Sequence, residues 1–318
     1  MHPTVLVTAA ILILFGAAAF CTAASISMGS DEKHNAHDLS LSGTPADNYS
    51  RTIEKWLEEG AAIWKQTGDI SSLIAHYAER QLGIDYVGGL LDGPGEETLV
   101  VTLSGSDCVI YVEMSLAMAL TTMRHQDTYE AFRDNLTLIR YREGIMDGYA
   151  SRLHYFSDWL VTNQEKGIVT LLFQEEEAEA LQLPVIRPPV FMSENRGSYR
   201  HLADDDRMFR KIRQMERKLE GMRLHYIPEG RIPGLEHRLQ TGDVLAFVTS
   251  IGGLDISHTA LVLMTENGAG FYHASLTGSV ILDPRSIYGY VKERKNVKGI
   301  IVARVRPPDA SKPGPPNE

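Results

Sequence analysis

The chain has 318 residues, of which 43% are hydrophobic, and its formal net charge at pH 7 is −10. This acidic balance disfavours a nucleic-acid partner, because contacts with phosphates require a basic surface. The hydrophobic content is ordinary for a globular protein. The sequence contains neither a CxxC nor an HExxH motif, so we predict no metal or organic cofactor.

The N-terminus, residues 1–24, is predicted to be a cleaved export signal. The apolar run from Val5 to Phe20 is shorter than the ~20 residues that a membrane-spanning helix needs, and small residues follow it up to Ala24. We therefore expect an exported protein, periplasmic or secreted, whose mature chain is not inserted in a membrane. Two alternatives stay open: an uncleaved anchor, since only His2 and no basic segment precedes the run, and a lipoprotein modified at Cys21.

The next part of the chain is predicted to be a linker followed by helices. Residues 25–50 are polar and lack periodicity, which is typical of a linker. Apolar residues recur at helical spacing over residues 51–81, with a break at Gly68-Asp69 and a second helix capped by Ser71. After a glycine-rich loop, residues 98–103 are predicted to form a strand, and a polar turn leads into an apolar helix that begins at Cys108.

The second half of the chain changes from helices to strands. Residues 124–235 are predicted to be a helix-rich insertion, which includes a charged helix over residues 204–219. Short β runs follow at 244–249, 259–264, 271–276, 280–282 and 299–305, and Glu266-Asn267-Gly268 is typical of a hairpin turn. Helices followed by antiparallel strands predict an α+β fold.

We therefore expect one domain over residues 51–305. Its parts are the N-terminal helices with the cysteine helix (51–123), the insertion (124–235) and a β subdomain that carries the histidines (236–305). Residues 306–318 are rich in proline and are predicted to be a disordered tail. No repeat or heptad array suggests self-assembly, so the protein is expected to be a monomer.

Cys108 is the candidate nucleophile. Once the leader is removed it is the only cysteine, so it cannot form an intramolecular disulfide in an oxidising compartment. Asp107 stands where the N-cap of the following helix is expected. The unpaired N–H groups at a helix start favour a thiolate, so the position predicts a lowered pKa for this thiol.

Two histidines are candidates for the proton transfer that a nucleophilic thiol requires. His258 stands where a glycine-rich loop enters a strand, and His273 lies on the next strand of the same hairpin, where it could orient the first imidazole. Their contact depends on the hairpin register, which the sequence does not fix. The alternative is that they are two unrelated strand histidines.

Several segments together resemble one known family. They are Tyr86-Val87-Gly88-Gly89, Asp107-Cys108-Val109-Ile110-Tyr111, Arg152-Leu153-His154-Tyr155, Gly242-Asp243-Val244, Ser257-His258 and Tyr272-His273-Ala274-Ser275. In this order, over about residues 51–305, they are similar to the N-acetylmuramoyl-L-alanine amidase-like subfamily of NlpC-type papain-like cysteine peptidases. The resemblance implies a papain-like core, in which a nucleophile helix packs on an antiparallel sheet or barrel, with a helical insertion.

The resemblance also implies catalytic roles. Cys108 would be the nucleophile, His258 the base and His273 the residue that orients it. Two features depart from the pattern: Val109-Ile110 stands where relatives that cut within the stem peptide have Ser-Gly, and the hairpin is somewhat longer than is common.

The implied activity is hydrolysis of the amide between the lactyl group of muramic acid and L-alanine, through a thioester. The substrate would be peptidoglycan or a muropeptide. One alternative is a γ-D-glutamyl-diamino acid endopeptidase with the same catalytic residues, and another is a muropeptide-binding module without catalysis.

Further residues are candidates for contact with the substrate. Because a stem peptide carries free carboxylates, cationic and hydrogen-bonding side chains are expected to meet them, and Arg152 is suited to a bidentate contact. Tyr86 is a candidate for lining the groove or for donating to the oxyanion. The other candidates are Asp107, His154, Tyr155, Asp158 and Trp159.

Overall fold

The computed structural model describes residues 45–266 and 268–308. The predicted leader, most of the linker, Asn267 of the predicted hairpin turn and residues 309–318 lie outside the described residues. The described chain is α+β, as the order of helical and strand patterns predicts. Its helices are α1 Pro45–Thr67, α2 Ile70–Arg80, α3 Cys108–Met123, α4 Tyr129–Arg140, α5 Phe156–Glu165, α6 Glu175–Ala180, α7 Phe191–Glu194, α8 Arg200–Ala203, α9 Asp206–Leu219, α10 Ile232–Leu235 and α11 Ile287–Lys292.

A single antiparallel sheet forms the other half of the fold. Its strands are β1 Val169–Leu171, β2 Ile227–Pro228, β3 Val244–Thr249, β4 Ile256–Thr265, β5 Gly268–Ala274, β6 Val280–Leu282 and β7 Val297–Val305. Their order across the sheet is β1-β7-β3-β4-β5-β6, and β2 also pairs with β7. The predicted hairpin is confirmed, because β4 and β5 are neighbours with Thr265 opposite Gly268.

The two faces of the sheet bury different partners. One face packs against the helical layer, in which α3 is central: every residue of α3 from Ile110 to Met123 is buried. A helix that is apolar on all sides belongs in a core, and only the start of α3 reaches the surface. The other face packs against α11 and carries a cluster of aromatic rings around Phe247 and Phe271.

Three expectations are corrected by the fold. Helix α1 begins at Pro45, inside the predicted linker. Residues 98–103 form no strand. Two of their backbone carbonyls accept hydrogen bonds from side chains and not from a neighbouring strand: Arg140 donates to Val100 O at 2.7 Å, and Tyr141 donates to Thr98 O at 3.4 Å. The predicted helix-rich insertion also contributes two strands, since β1 and β2 arise within it and pair with β7.

No helix within residues 45–266 and 268–308 has the length and apolarity that crossing a membrane requires.

Candidate active site

The start of helix α3 is organised by its cap. The Asp107 carboxylate accepts from Val109 N at 3.0 Å and from Ile110 N at 2.8 Å, as the N-cap prediction requires. Cys108 is the first helical residue and is partly exposed. The loop before it is held by Tyr86, which forms a bridge with Ser106, and by Val87 N, which donates to Ser106 O at 2.9 Å.

The electrostatic surroundings of Cys108 reverse one expectation. Burial and then the neighbouring Asp107 carboxylate raise the pKa of the Cys108 thiol to about 12. Hydrogen-bond donors at Thr259 and the N–H of Cys108 itself act in the opposite direction but do not outweigh these two effects. The thiol at this helix start is therefore neutral at physiological pH, contrary to the lowered pKa that the helix position predicts.

Thr259 joins the cysteine helix to the sheet. Its hydroxyl donates to Cys108 O at 2.7 Å, and both its hydroxyl and its backbone N–H lower the pKa of the cysteine thiol. Thr259 directly follows His258 on β4, so the structure brings the start of α3 next to the strand end that carries the candidate base. A β-bulge lies at the same point, because Phe247 pairs with His258 while Val248 pairs with Ile256. Bulges of this kind re-aim side chains.

The two histidines are in contact. His258 Nε2 lies 2.7 Å from His273 Nδ1, and the two rings meet edge to face with centroids 4.9 Å apart. On its other side, His273 Nε2 lies 3.1 Å from Asp283 Oδ2, although the donor angle falls short of a well-aligned hydrogen bond. All three residues are buried, with 8%, 1% and 4% exposure respectively.

The register of the sheet explains this row of side chains. Leu261 pairs with Tyr272 and His273 pairs with Ile281, so His258 and Asp283 each occupy a position diagonal to His273 on the same face. Diagonal neighbours on adjacent strands are within reach of long side chains. Strands β4 and β5 therefore contribute one histidine each, and Asp283 follows directly after β6.

Both imidazoles are held neutral. Burial lowers the pKa of His273 to about 4, with Asp283 raising it and Arg294 lowering it to smaller extents. Burial, followed by His273 and Arg294, also lowers the pKa of His258 well below its ordinary value. A neutral imidazole and a neutral thiol are the protonation states from which a base can accept a thiol proton.

Two tyrosines surround this group. The Tyr290 ring lies 6.1 Å from the His258 ring and 5.6 Å from the His273 ring. Cys108 contributes to raising the pKa of Tyr290 after burial, and likewise that of Tyr86. The two phenols thus lie near the cysteine and would be affected by its thiolate form.

Arg152 and His154 lie in a second polar cluster. Arg152 is buried and paired, since its guanidinium lies 2.8 Å from Asp92 Oδ1 and 3.0 Å from Glu97 Oε1. Both of these carboxylates belong to the protein, so a substrate carboxylate would have to compete with them. His154 is partly exposed, and its Nε2 contacts Tyr149 O at 2.7 Å. Burial and the Arg152 charge lower the pKa of His154 to about 3, so it is a neutral hydrogen-bonding group.

The other substrate candidates on α5 have structural partners. Trp159 is completely buried and donates to Glu113 Oε1 at 3.1 Å, Tyr155 donates to Glu216 Oε1 at 2.8 Å, and Asp158 forms an ion pair with Arg142 at 2.6 Å. Trp159 has no exposed surface and packs in the core, and its contact with substrate stays a prediction. Tyr155 and Asp158 are also buried, and their contacts with Glu216 and Arg142 are structural.

The sequence did not identify several residues of the site. Asp283 precedes Pro284 and is typical of a turn, so nothing in its local pattern links it to a histidine. Thr259 and Tyr290 look like an ordinary strand residue and an ordinary helix residue. Only the sheet register and the packing of α11 bring them to Cys108 and His258. Among the described residues, no group of three or more His, Cys, Asp or Glu side chains is arranged to hold a metal ion.

Solved structures similar to this chain include an N-acetylmuramoyl-L-alanine amidase from Bacteroides uniformis, at 29% sequence identity and a TM-score of 0.69. That match covers 74% of this chain and 99% of the other. A Bacteroides fragilis protein described as a candidate xylanase matches at 29% identity and a TM-score of 0.65, over 72% of this chain and 99% of the other. A Legionella pneumophila protein of the family DUF1460 matches at 21% identity and a TM-score of 0.61, over 83% and 96%, and shares the fold alone.

No curated protein matches the chain. The sequence model of a family described as AmiA-like, N-acetylmuramoyl-L-alanine amidase-like, matches residues 76–300. This span is well over half of the chain and includes Cys108, His258, His273 and Asp283. The chain belongs to the AmiA-like family of N-acetylmuramoyl-L-alanine amidase-like proteins.

Proposed function

We propose that this protein is an N-acetylmuramoyl-L-alanine amidase that hydrolyses peptidoglycan or its fragments with Cys108 as nucleophile. Family membership supports a peptidoglycan amidase. The observation that carries the cysteine mechanism is the 2.7 Å contact between His258 and His273, beside a helix start that Thr259 fixes to the same strand. A base oriented by a second polar group, next to a nucleophile, is the arrangement that nucleophilic catalysis needs.

In the proposed first step, the Cys108 sulfur attacks the lactyl carbonyl of muramic acid while His258 accepts the thiol proton. The raised pKa of the thiol and the lowered pKa of His258 disfavour a resting ion pair, so proton transfer accompanies the attack. The N–H groups of Val109 and Ile110 are used by the Asp107 cap. We assign the developing oxyanion to the N–H of Cys108, which acts on the thiol sulfur in the resting site and would have to turn from it during the attack.

In the second step, His258 returns its proton to the amine of L-alanine, which leaves as the stem peptide. A water molecule then gives a proton to His258 and attacks the thioester, which releases the muramic acid carboxylate and restores the thiol. His273 keeps the His258 ring in position throughout, as the residue that orients the base.

We further propose that the α+β core is of the papain-like, NlpC type. Helix α3 begins at the nucleophile and packs against an antiparallel sheet that supplies the histidines, which supports this assignment. Tyr86, Asp107 and His154 are the substrate candidates with partly exposed side chains, and we propose that they border the cleft. The substrate would be met outside the cytoplasm, by an exported and monomeric protein.

The proposal is tested with defined muropeptides and mass spectrometry. The wild-type protein should release the free sugar and an intact stem peptide that begins with L-alanine. Cys108→Ala should abolish this release, and Cys108→Ser should reduce it by several orders of magnitude, because a hydroxyl is a far weaker nucleophile in the same site.

A matched control separates loss of chemistry from loss of fold. Ser115→Ala changes another small polar residue of α3, whose hydroxyl donates to Tyr111 O at 2.9 Å and accepts from Gln81 Nε2 at 2.7 Å. It should cost stability but leave the product pattern unchanged, because neither partner is a proposed catalytic residue. Cleavage after D-glutamate would favour the endopeptidase alternative. Binding of muropeptide without any product from the folded wild-type protein would favour the binding module.

A further inference from the structure

The partners of Asp283 form an unusually complete arrangement behind the histidines. Arg285 donates to both carboxylate oxygens, from Nε to Oδ1 at 2.8 Å and from a terminal nitrogen to Oδ2 at 2.7 Å. The Arg285 backbone N–H donates to Oδ1 as well, at 2.9 Å. The Asp283 side chain is completely buried, so Arg285 and the turn fix its position.

Asp283 is also ionised. Burial acts to raise its pKa, but the hydrogen bonds and the charge of Arg285 outweigh burial and lower it overall. An ionised carboxylate can only accept hydrogen bonds. The group that faces it, His273 Nε2, therefore has to carry a hydrogen, and no other acceptor bonds to this nitrogen among the described residues.

The tautomer of His273 determines the tautomer of His258. A neutral imidazole has one N–H and one bare nitrogen. If Nε2 of His273 carries the hydrogen, its Nδ1 is bare and accepts from Nε2 of His258, 2.7 Å away. His258 Nε2 is then the N–H, which leaves His258 Nδ1 as the nitrogen with a free lone pair.

We propose that Asp283, clamped by Arg285, is a positioning residue that sets the tautomers of both histidines and so makes Nδ1 of His258 the catalytic base. This inference rests on the proposed function for its catalytic part, whereas the tautomers can be measured without any substrate. It assigns a role to a residue outside the cysteine and the two histidines.

The groups packed against the two rings are consistent with this assignment. Arg294 lies over the Tyr290 ring at 3.8 Å and, with Asp283 and Arg285, supplies the charges that act on His273. Arg294 lowers the pKa of both histidines, so both are neutral and each has a defined tautomer. Tyr290 contacts both rings through its aromatic face or edge.

The test is Asp283→Asn, read by nitrogen-15 NMR of histidine side chains in the full protein. An asparagine can offer its NH₂ group to His273 Nε2, which favours the opposite tautomer of both rings and leaves a hydrogen on His258 Nδ1. We expect this tautomer exchange together with a fall in kcat of about 10²–10⁴-fold and little change in KM. Asp283→Glu keeps an acceptor-only group and should retain the wild-type tautomers and restore part of kcat.

Asp243→Asn is the matched control. Asp243 is buried directly before β3 and is clamped in a similar way by Arg304, with two contacts of 2.8 Å, and none of its side-chain hydrogen bonds is with a histidine. It should lose a comparable amount of stability while tautomers and kcat stay as in the wild type. A fall in kcat of similar size for Asp243→Asn would mean that lost stability, and not the tautomer, explains the effect, and would overturn the proposal.

The wild-type spectrum keeps the proposal falsifiable even if Asp283→Asn does not fold. A hydrogen on His273 Nδ1 in the wild-type protein would overturn it, as would an Asp283→Asn variant with wild-type tautomers or full kcat. The expected wild-type tautomers in a protein that cleaves no muropeptide would support the assignment of Asp283 and count against the proposed function. An active wild-type protein with the opposite tautomers would support the proposed function and overturn the role assigned to Asp283.

Discussion

The buried ion pair between Glu113 and Arg140 fixes the cysteine helix to α4, and neutralising it should be costly. Arg140 Nε lies 2.7 Å from Glu113 Oε2, and the two side chains are 1% and 2% exposed. Trp159 donates to the second oxygen of Glu113. Glu113→Gln keeps the shape of the side chain but leaves a guanidinium buried without a counter-charge.

The expected loss follows from that burial. Removing one partner of a buried pair costs about 3–5 kcal/mol, because the remaining charge has lost its solvation and its partner. Typical domains are stable by ~5–15 kcal/mol, so the variant should remain folded but be clearly weakened. Replacing both partners by apolar residues, Glu113→Leu with Arg140→Met, should recover part of the loss, since it removes the unpaired charge but leaves Trp159 Nε1 and Val100 O without these partners.

Urea denaturation measures this loss of stability, and the slope of the unfolding free energy against urea concentration should be the same for the variant and the wild type. The control is Glu130→Gln, which breaks an exposed pair between Glu130 and Arg133 whose atoms lie 3.7 Å apart and whose side chains are 79% and 44% exposed. This change should cost less than about 1 kcal/mol. The reasoning is refuted if Glu113→Gln costs no more than the control, or if the apolar double variant is weaker than the single one.

Three further predictions concern the site and the sheet. Alkylation of Cys108 by iodoacetamide should speed up about tenfold per pH unit between pH 7 and 10, because its pKa is raised to about 12; a rate that does not vary with pH would contradict a neutral thiol. Burial lowers the pKa of His273 to about 4, so the folded state binds fewer protons than the unfolded state below pH 6.5. His273 alone should therefore lower the stability by about 3 kcal/mol as the pH drops from 6.5 to 4, in addition to the other buried histidines, and His273→Gln should reduce this slope in urea titrations at each pH. Gly299→Ala should cost about 1–3 kcal/mol in thermal or urea unfolding, since its Cβ would lie 2.0 Å from Ile227 O, whereas Gly278→Ala meets no atom within 4 Å and should be nearly neutral.

Local patterns predicted much of the secondary structure. Strands β3 and β6 begin and end where the apolar runs indicate, and the other three predicted strands differ from the runs only at their ends. The Asp107 cap is likewise a local feature and is confirmed. Residues 98–103 had the same kind of apolar run but form no strand. Two of their backbone carbonyls accept hydrogen bonds from the side chains of Arg140 and Tyr141, and not from the backbone of a neighbouring strand.

The sequence by itself determined which residues have the chemistry of a nucleophile and a base: a cysteine at a capped helix start and two histidines on one hairpin. Only the tertiary structure decided how these groups act on one another. The sheet register, which is a non-local property, aligned His258, His273 and Asp283 across adjacent strands. Burial, which no local pattern reports, reversed the expected direction of the Cys108 pKa shift. Removing water destabilises the thiolate by more than the hydrogen-bond donors at the helix start stabilise it.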